Sequence, residues 1–286
     1  MKILVTGATG FIGMHVVQEL LASTHTIIAT GRRTDFQMDG VTRDKLSYIP
    51  CDLNETRPDY CSFFGFPDSV IHLSWEGLPH YRERYHFERN LPANYNFLKS
   101  LVEGGVSNVT CVGTCLEYGM RNGPLSEDMQ PWPSTAYALA KDCLRRFLDQ
   151  LREQRRFSFK WVRLFYTYGA GQNKSSLLEQ LETAIKNEAT QFDMSKGDQL
   201  RDYLPVEKVA QNVVKIALQS RVEDAINCCR GAPISIRQLA ENYLTARGVQ
   251  MKLNLGVFPY PDYEPMAFWG DTRKLNLAIS SATEKL

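Results

Sequence analysis

"TGATGFIG", Thr6–Gly13, follows the short apolar run MKILV and leads into the amphipathic stretch Phe11 to Leu21. Its glycines, Gly7, Gly10 and Gly13, are spaced G-x-x-G-x-x-G, not G-x-G-x-x-G as in the usual Rossmann fingerprint. Position says more than spacing here. A glycine turn directly after a strand and directly before a helix presents backbone N–H groups and a helix N-terminus, a natural seat for a pyrophosphate. Gly7 would permit the tight turn, Gly10 the close approach of phosphate, and Gly13 close packing of helix on sheet. The glycines alone leave two readings open, a phosphate site or a strand–helix turn with no ligand.

Beyond that turn, strand and helix patterns alternate. Strands are expected at Lys2 to Val5, Thr26 to Ala29, Ser69 to Leu73, Val109 to Val112 and Lys160 to Leu164. Helices are expected at Phe11 to Leu21, Leu91 to Glu103 and Tyr137 to Arg155. This rhythm predicts an α/β fold, a Rossmann-type doubly wound parallel sheet with helices on both faces. After about Thr167 the rhythm changes. Helices are expected at Ser176 to Asn187 and Ile236 to Ala246, and "LRDYLPVEKVAQNVVKIALQS" reads as a short strand followed by a helix. "GVFPYPDYEPMAFWG" has too many prolines for a regular helix. The expected division is a dinucleotide-binding domain over 1–166 and a smaller C-terminal substrate lobe over 167–286, with 201–220 returning to the first domain.

Composition narrows the classes. The 286 residues are 43% hydrophobic and 23% charged with a formal net charge of +1, which gives no reason to expect nucleic acid or an anionic membrane as partner. No apolar stretch approaches the roughly 20 residues of a membrane span, and no signal peptide is recognisable. Seven cysteines without a C-x-x-C predict reduced thiols and a cytoplasmic protein. His15, His25, His72, His80 and His86 are scattered and offer no metal spacing.

Two further stretches bear on chemistry. The second strand ends "IIATGRR": Thr30 stands where a Rossmann site usually carries a ribose-binding acid, and Arg32 and Arg33 follow. No carboxylate comes before Asp35. Forked guanidinium donors suit a 2′-phosphate, so NADP(H) is expected over NAD(H). "STAYALAKDCLRRFL" places Tyr137 and Lys141 at i and i+4, on one helix face. A phenol is a poor acid or base at neutral pH unless a cation lies close, and Lys141 can supply one.

The N-terminal G-x-x-G-x-x-G followed by Y-x-x-x-K resembles the short-chain dehydrogenase/reductase superfamily, and specifically its extended branch of NAD(P)-dependent nucleotide-sugar epimerases, dehydratases and reductases. The likeness runs in order from Met1 to Asp271. "CDL" (Cys51 to Leu53) resembles the segment whose aspartate, Asp52, lies beside the adenine, "VIHLSW" a strand end along the cofactor, and Asn90 a helix-borne asparagine. "VGTCLEYG" resembles the strand carrying the catalytic Ser or Thr, here Thr114, and "QLRDYLPVEKVA" a segment whose arginine, Arg201, reaches the substrate diphosphate. The resemblance implies Tyr137 as general acid/base, Lys141 as the group that lowers its pKa and bonds the nicotinamide ribose, and Thr114 as a hydrogen-bond partner of the reacting oxygen. It implies cofactor contacts from Gly7, Thr9, Gly10, Phe11, Ile12, Gly13, Asp52, Leu53, Leu73, Ser74 and Asn90. Trp75 and Tyr166 are expected at the substrate, Tyr166 replacing a family asparagine, and Glu264 could reach the nucleotide end. Cys115 is read as a packing or pocket-lining thiol.

Departures from the family narrow the reaction. The 4,6-dehydratases carry Asp-Glu after the threonine, where this chain has Cys115 and Leu116. The 3,5-epimerase/reductases carry a cysteine where Leu116 stands. Two activities remain, an NAD-dependent 4-epimerase and an NADPH-dependent 4-ketoreductase of a nucleotide-activated 6-deoxyhexose. Thr30, Arg32 and Arg33 favour the reductase, with a dTDP-4-keto-6-deoxyhexose as substrate and surface polysaccharide such as O-antigen as destination. A non-catalytic NADP-binding regulator is a third class, opposed by the intact Thr114–Tyr137–Lys141 set. The two helices Leu91 to Glu103 and Tyr137 to Arg155 resemble the family's dimer-forming pair, implying a homodimer. The stripe Leu144, Phe147, Leu148 and Leu151 suits that role and internal packing equally.

Overall fold

The computed structural model describes residues 1–38, 42 and 44–280. From the N-terminus, β1 (Lys2–Thr6) passes through the glycine turn into α1 (Phe11–Leu21), followed by β2 (Thr26–Thr30) and β3 (Leu46–Tyr48). A single turn, α2 (Tyr60–Phe63), precedes β4 (Ser69–His72), and a π-helical turn His86–Asn90 runs into α3 (Leu91–Glu103). Then come β5 (Asn108–Thr114), a 3-10 turn Cys115–Tyr118, β6 (Gly123–Leu125), α4 (Ala136–Gln154) and β7 (Ser158–Leu164). The later chain forms β8 (Tyr166–Tyr168), α5 (Leu177–Lys186), β9 (Gln191–Met194), β10 (Leu200–Arg201), β11 (Tyr203–Pro205) and α6 (Val206–Leu218). It ends with β12 (Asp224–Cys228), β13 (Ile234–Ser235), α7 (Ile236–Ala246), β14 (Lys252–Leu255), β15 (Phe268–Gly270) and α8 (Arg273–Ser280).

Seven strands form one sheet in the order β3-β2-β1-β4-β5-β7-β12, every pair parallel. Strands covered on both faces must be apolar nearly throughout, and Ile3, Leu4 and Val5 of β1 are fully buried. One face is covered by α1, α6 and α8, through Val16, Val213 and Leu275 among others. The other is covered by α2, α3 and α4, through Cys61, Leu98 and Leu144. The order reverses between β1 and β4, which opens a crevice at their C-terminal ends.

The structure departs from the sequence reading in two places. β5 continues past Val112, because Gly113 and Thr114 pair with Arg163 and Leu164 of β7; this carries Thr114 to the sheet's C-terminal edge. β12, which the sequence reading placed in the lobe, pairs with β7 and completes the sheet, and α8 packs on β12 and α6. The return therefore extends beyond 201–220. Of the two roles open to the α4 stripe, internal packing takes Leu144, Leu148 and Leu151, which are buried inside the chain, while Phe147 is exposed, as is Leu139. The lobe has its own small core, where Leu181 of α5, Phe192 and Met194 of β9, and Ala240 and Leu244 of α7 pack together.

Candidate active site

The glycine turn is built for close approach. Gly7 has φ +65°, and a Cβ there would stand 3.0 Å from the Ser74 nitrogen. A Cβ on Gly13 would lie 2.0 Å from the Gly7 carbonyl oxygen. Gly10 is the N-cap of α1 and offers no side-chain cap, so the first N–H groups of that helix stay open to a ligand. These residues fit a dinucleotide pyrophosphate. Gly7, Gly10, Phe11, Ile12, Gly13 and Leu73 line a cleft of about 760 Å³, and Trp75, Thr114, Tyr137, Lys141 and Tyr166 line the same cleft.

Thr114 ends β5, and α4 starts beside it with Thr135 as N-cap, accepting from the Ala138 N–H at 3.2 Å. Tyr137 lies in the first turn of α4, its N–H donating to the Tyr81 carbonyl at 2.9 Å. Thr114 Oγ accepts from the Leu116 N–H at 3.2 Å, and its side chain lies beside the Tyr137 phenol in the cleft that both line. Lys141, one turn along, donates to the Val112 carbonyl at 2.8 Å and sits 4.2 Å from the centre of the Trp75 ring. Burial lowers the Lys141 ammonium from 10.5 to about 8, opposed by nearby Cys111 and Glu117. Burial raises the Tyr137 phenol well above 10, and Tyr81, Glu117 and Cys115 add to that effect. Tyr137 thus rests protonated. Burial likewise raises the Cys115 thiol, an inert pocket-lining group.

Several supporting residues went unread in the sequence. Glu117 is fully buried, and its carboxylate accepts from the Thr114 N–H at 2.9 Å, Trp161 Nε1 at 3.0 Å and Arg163 Nε at 2.7 Å. Thr114-x-x-Glu117 is a capping-box spacing, the one local signal that could have found it. His72 ends β4. Thr6 Oγ accepts from the Leu73 and Ser74 N–H groups at 3.1 and 3.2 Å, so its own proton goes to His72 Nδ1 at 2.9 Å. His72 Nε2 then donates to Asn94 Oδ1 at 2.7 Å, a tautomer assigned from this network. Burial, with Lys141 nearby, lowers His72 to about 3.

Apart from Trp75, the remaining expected contacts lie outside the cleft lining. Thr30 is buried and donates to the Ile49 carbonyl at 2.6 Å. Beyond it, Asp52 accepts from the Asn54 N–H at 2.9 Å, and Leu53 packs against the core. The sequence offered no carboxylate between Thr30 and Asp35, but folding brings Glu76 within 3.0 Å of the Arg32 guanidinium and 3.1 Å of Asn54. Arg33 is exposed, and Thr9 packs against Gly31, where a Cβ would stand 2.8 Å from its hydroxyl. Asn90 is buried and donates to the Glu76 carbonyl at 3.0 Å. It holds the loop after β4 rather than facing the cleft. Trp75 donates its indole N–H to His86 Nδ1 at 3.0 Å, so only its ring is offered to the cleft. Arg201 is also engaged within the protein, at 3.0 Å to Glu264, 2.9 Å to the Leu200 carbonyl and 3.2 Å to the Met266 carbonyl.

Known proteins resemble this chain along most of its length. The dTDP-6-deoxy-L-talose 4-dehydrogenase (NAD(+)) of Aggregatibacter actinomycetemcomitans is 28% identical over 94% of this chain and 99% of its own. The GDP-6-deoxy-D-mannose reductase of Pseudomonas aeruginosa is 24% identical over 89% of this chain and 82% of its own. Among solved structures, MoeE5 in complex with UDP-glucose and NAD superposes with a TM-score of 0.82 at 24% identity, covering 98% of this chain and 93% of that one. Residues 3–229 match the model of the NAD dependent epimerase/dehydratase family, so the glycine turn, the parallel sheet and the cleft residues belong to a member of that family.

Proposed function

We propose that the protein reduces the 4-keto group of a nucleotide-activated 6-deoxyhexose, preferably a dTDP-4-keto-6-deoxyhexose, with NADPH. The carrying observation is that Thr114, Tyr137 and Lys141 meet in the cleft lined by the glycine turn, with the phenol held protonated. The bound nicotinamide supplies hydride. Tyr137 gives its proton to the C4 oxygen, the Thr114 hydroxyl holds that oxygen in place, and the Lys141 ammonium stabilises the phenolate left behind. Cys115 and Leu116 supply no acid–base pair for eliminating water. The talose dehydrogenase among the relatives is named for oxidation at C4, the reverse of this step, and the mannose-derived relative is named a reductase. Leu78, Pro79, Leu116 and Phe165 give the cleft an apolar lining that suits a C6 methyl.

NADPH is supported by Arg33, exposed beside the end of β2, and by Arg32. NADH is the second reading, favoured by the Glu76 carboxylate on Arg32 and by the NAD(+) in the talose dehydrogenase's name. Arg33→Ala should raise KM for NADPH about tenfold and leave that for NADH unchanged, measured by steady-state kinetics. A homodimer through α3 and α4, a cytoplasmic location and a product destined for surface polysaccharide complete the proposal. The main test incubates the enzyme with NADPH and a panel of 4-keto-6-deoxy sugar nucleotides. Stoichiometric loss of NADPH is expected, whereas interconversion without net loss would establish the 4-epimerase instead. Tyr137→Phe should lower turnover by about 10² to 10⁴ while NADPH still binds; unaffected turnover would sink the assignment.

A further inference from the structure

Among the described residues lining the cleft, only Lys141 and Glu264 carry a charge. Lys141 belongs to the Tyr137 end, so the substrate end has one charge and it is negative. Arg201 sits behind this carboxylate, with Nη2 at 3.0 Å and Nε at 3.3 Å from Glu264 Oε2. Both side chains are buried, at 2% and 9% exposure, and the guanidinium lies 4.7 Å from the Phe268 ring centre. Its contact with the Met266 carbonyl ties it to the segment that carries Glu264, and it also bonds the carbonyl of the preceding residue, Leu200. Both Arg201 bonds to the carboxylate go to Oε2, so Arg201 holds Glu264 through one oxygen, and Glu264 lines the cleft. Glu264 acts electrostatically on Cys115, Tyr81 and Tyr166, the groups around Thr114. It lines the same cleft as Thr114 and Tyr137. The Tyr166 hydroxyl is buried beside it without a well-formed hydrogen bond.

We propose that Glu264, braced by Arg201 through Oε2, determines sugar specificity: its other oxygen accepts a hydrogen bond from a hydroxyl or amino group of the hexose and excludes sugars bearing a carboxylate. The inference rests on the nucleotide-sugar reading above. A carboxylate brought against Glu264 meets a like charge in a partly desolvated cleft, where such repulsion is strong. A hexose donor gains a charge-assisted hydrogen bond instead.

The test compares binding of dTDP-glucose and dTDP-glucuronic acid to the full-length protein by calorimetry. The two ligands share base and diphosphate, so their ratio isolates the sugar end. The wild type should bind the hexose at least tenfold more tightly. Glu264→Gln should weaken hexose binding about tenfold and strengthen uronate binding, removing the preference. That variant leaves Arg201 buried without its counter-charge, so Arg201→Met with Glu264→Gln is the second variant, with unchanged NADPH affinity reporting an intact fold. Equal affinity for both sugars in the wild type, or an unchanged ratio in a folded variant, overturns the proposal. A wild-type preference with no NADPH consumed on any 4-keto sugar would sink the reductase reading alone.

Discussion

Lys141 has the most testable charge in the cleft. Burial pulls its ammonium down to about 8, so the cationic form, which the proposed mechanism uses to stabilise the Tyr137 phenolate, is present below that pH and lost above it. Turnover should fall as pH rises through about 8, read from a kcat–pH profile. The Trp75 ring, 4.2 Å from the ammonium, favours the charged form. Trp75→Leu should therefore move the fall about half a unit to one unit lower, and an unmoved profile would assign the ring to packing only. Glu117 gives a stability prediction. Glu117→Gln leaves Arg163 buried with its charge uncompensated, at a cost of about 3 to 5 kcal/mol in urea unfolding. Thr114, Tyr137 and Lys141 were legible because their chemistry is written in local motifs. Glu117 was not, since Trp161 and Arg163 lie on another strand and only the fold reveals them. Arg201 was expected from its motif at the substrate diphosphate, whereas the structure pairs it with Glu264, a partner 63 residues away that no local motif reveals.

At the level of elements, β1, β4 and α3 are tied at their ends through Thr6, His72 and Asn94. His72 is neutral in the fold, with its pKa near 3 against 6.5 for the free side chain. As pH falls below about 6.5 the unfolded chain takes up a proton that the folded one refuses. The stability contribution is complete above that pH and is lost progressively down to about 3, amounting to about 5 kcal/mol at most. Urea unfolding across this range should show a steeper loss in the wild type than in His72→Leu; parallel slopes would refute the linkage. Phe11–Leu21, Leu91–Glu103 and Ile236–Ala246 were readable to the residue, because their apolar periodicity is strong and their ends carry glycine, glutamate or serine signals. β12, "DAINC", was not. Its asparagine and aspartate hide a strand that exists because β7 offers an open edge with Trp161 and Val162 already buried.

For the whole molecule, the sheet and its cleft followed from the N-terminal glycines and the strand–helix rhythm, while the late return of the chain did not. Leu139 and Phe147 are exposed on α4, and Phe147 meets Tyr95 of α3 edge-on. Leu139→Glu with Phe147→Glu should convert the proposed homodimer to monomer in sedimentation velocity without lowering thermal stability by more than a few degrees. The position of β12 in the chain also matters during synthesis. The strands that flank the cleft leave the ribosome first, yet β7 stays without its outer neighbour until Asp224–Cys228 has been made. A nascent chain ending before that point carries a bare, apolar strand edge, a template for wrong pairing. Interrupted translation products of this protein should therefore be unusually dependent on chaperones, and a chain truncated after Tyr166 should aggregate rather than fold.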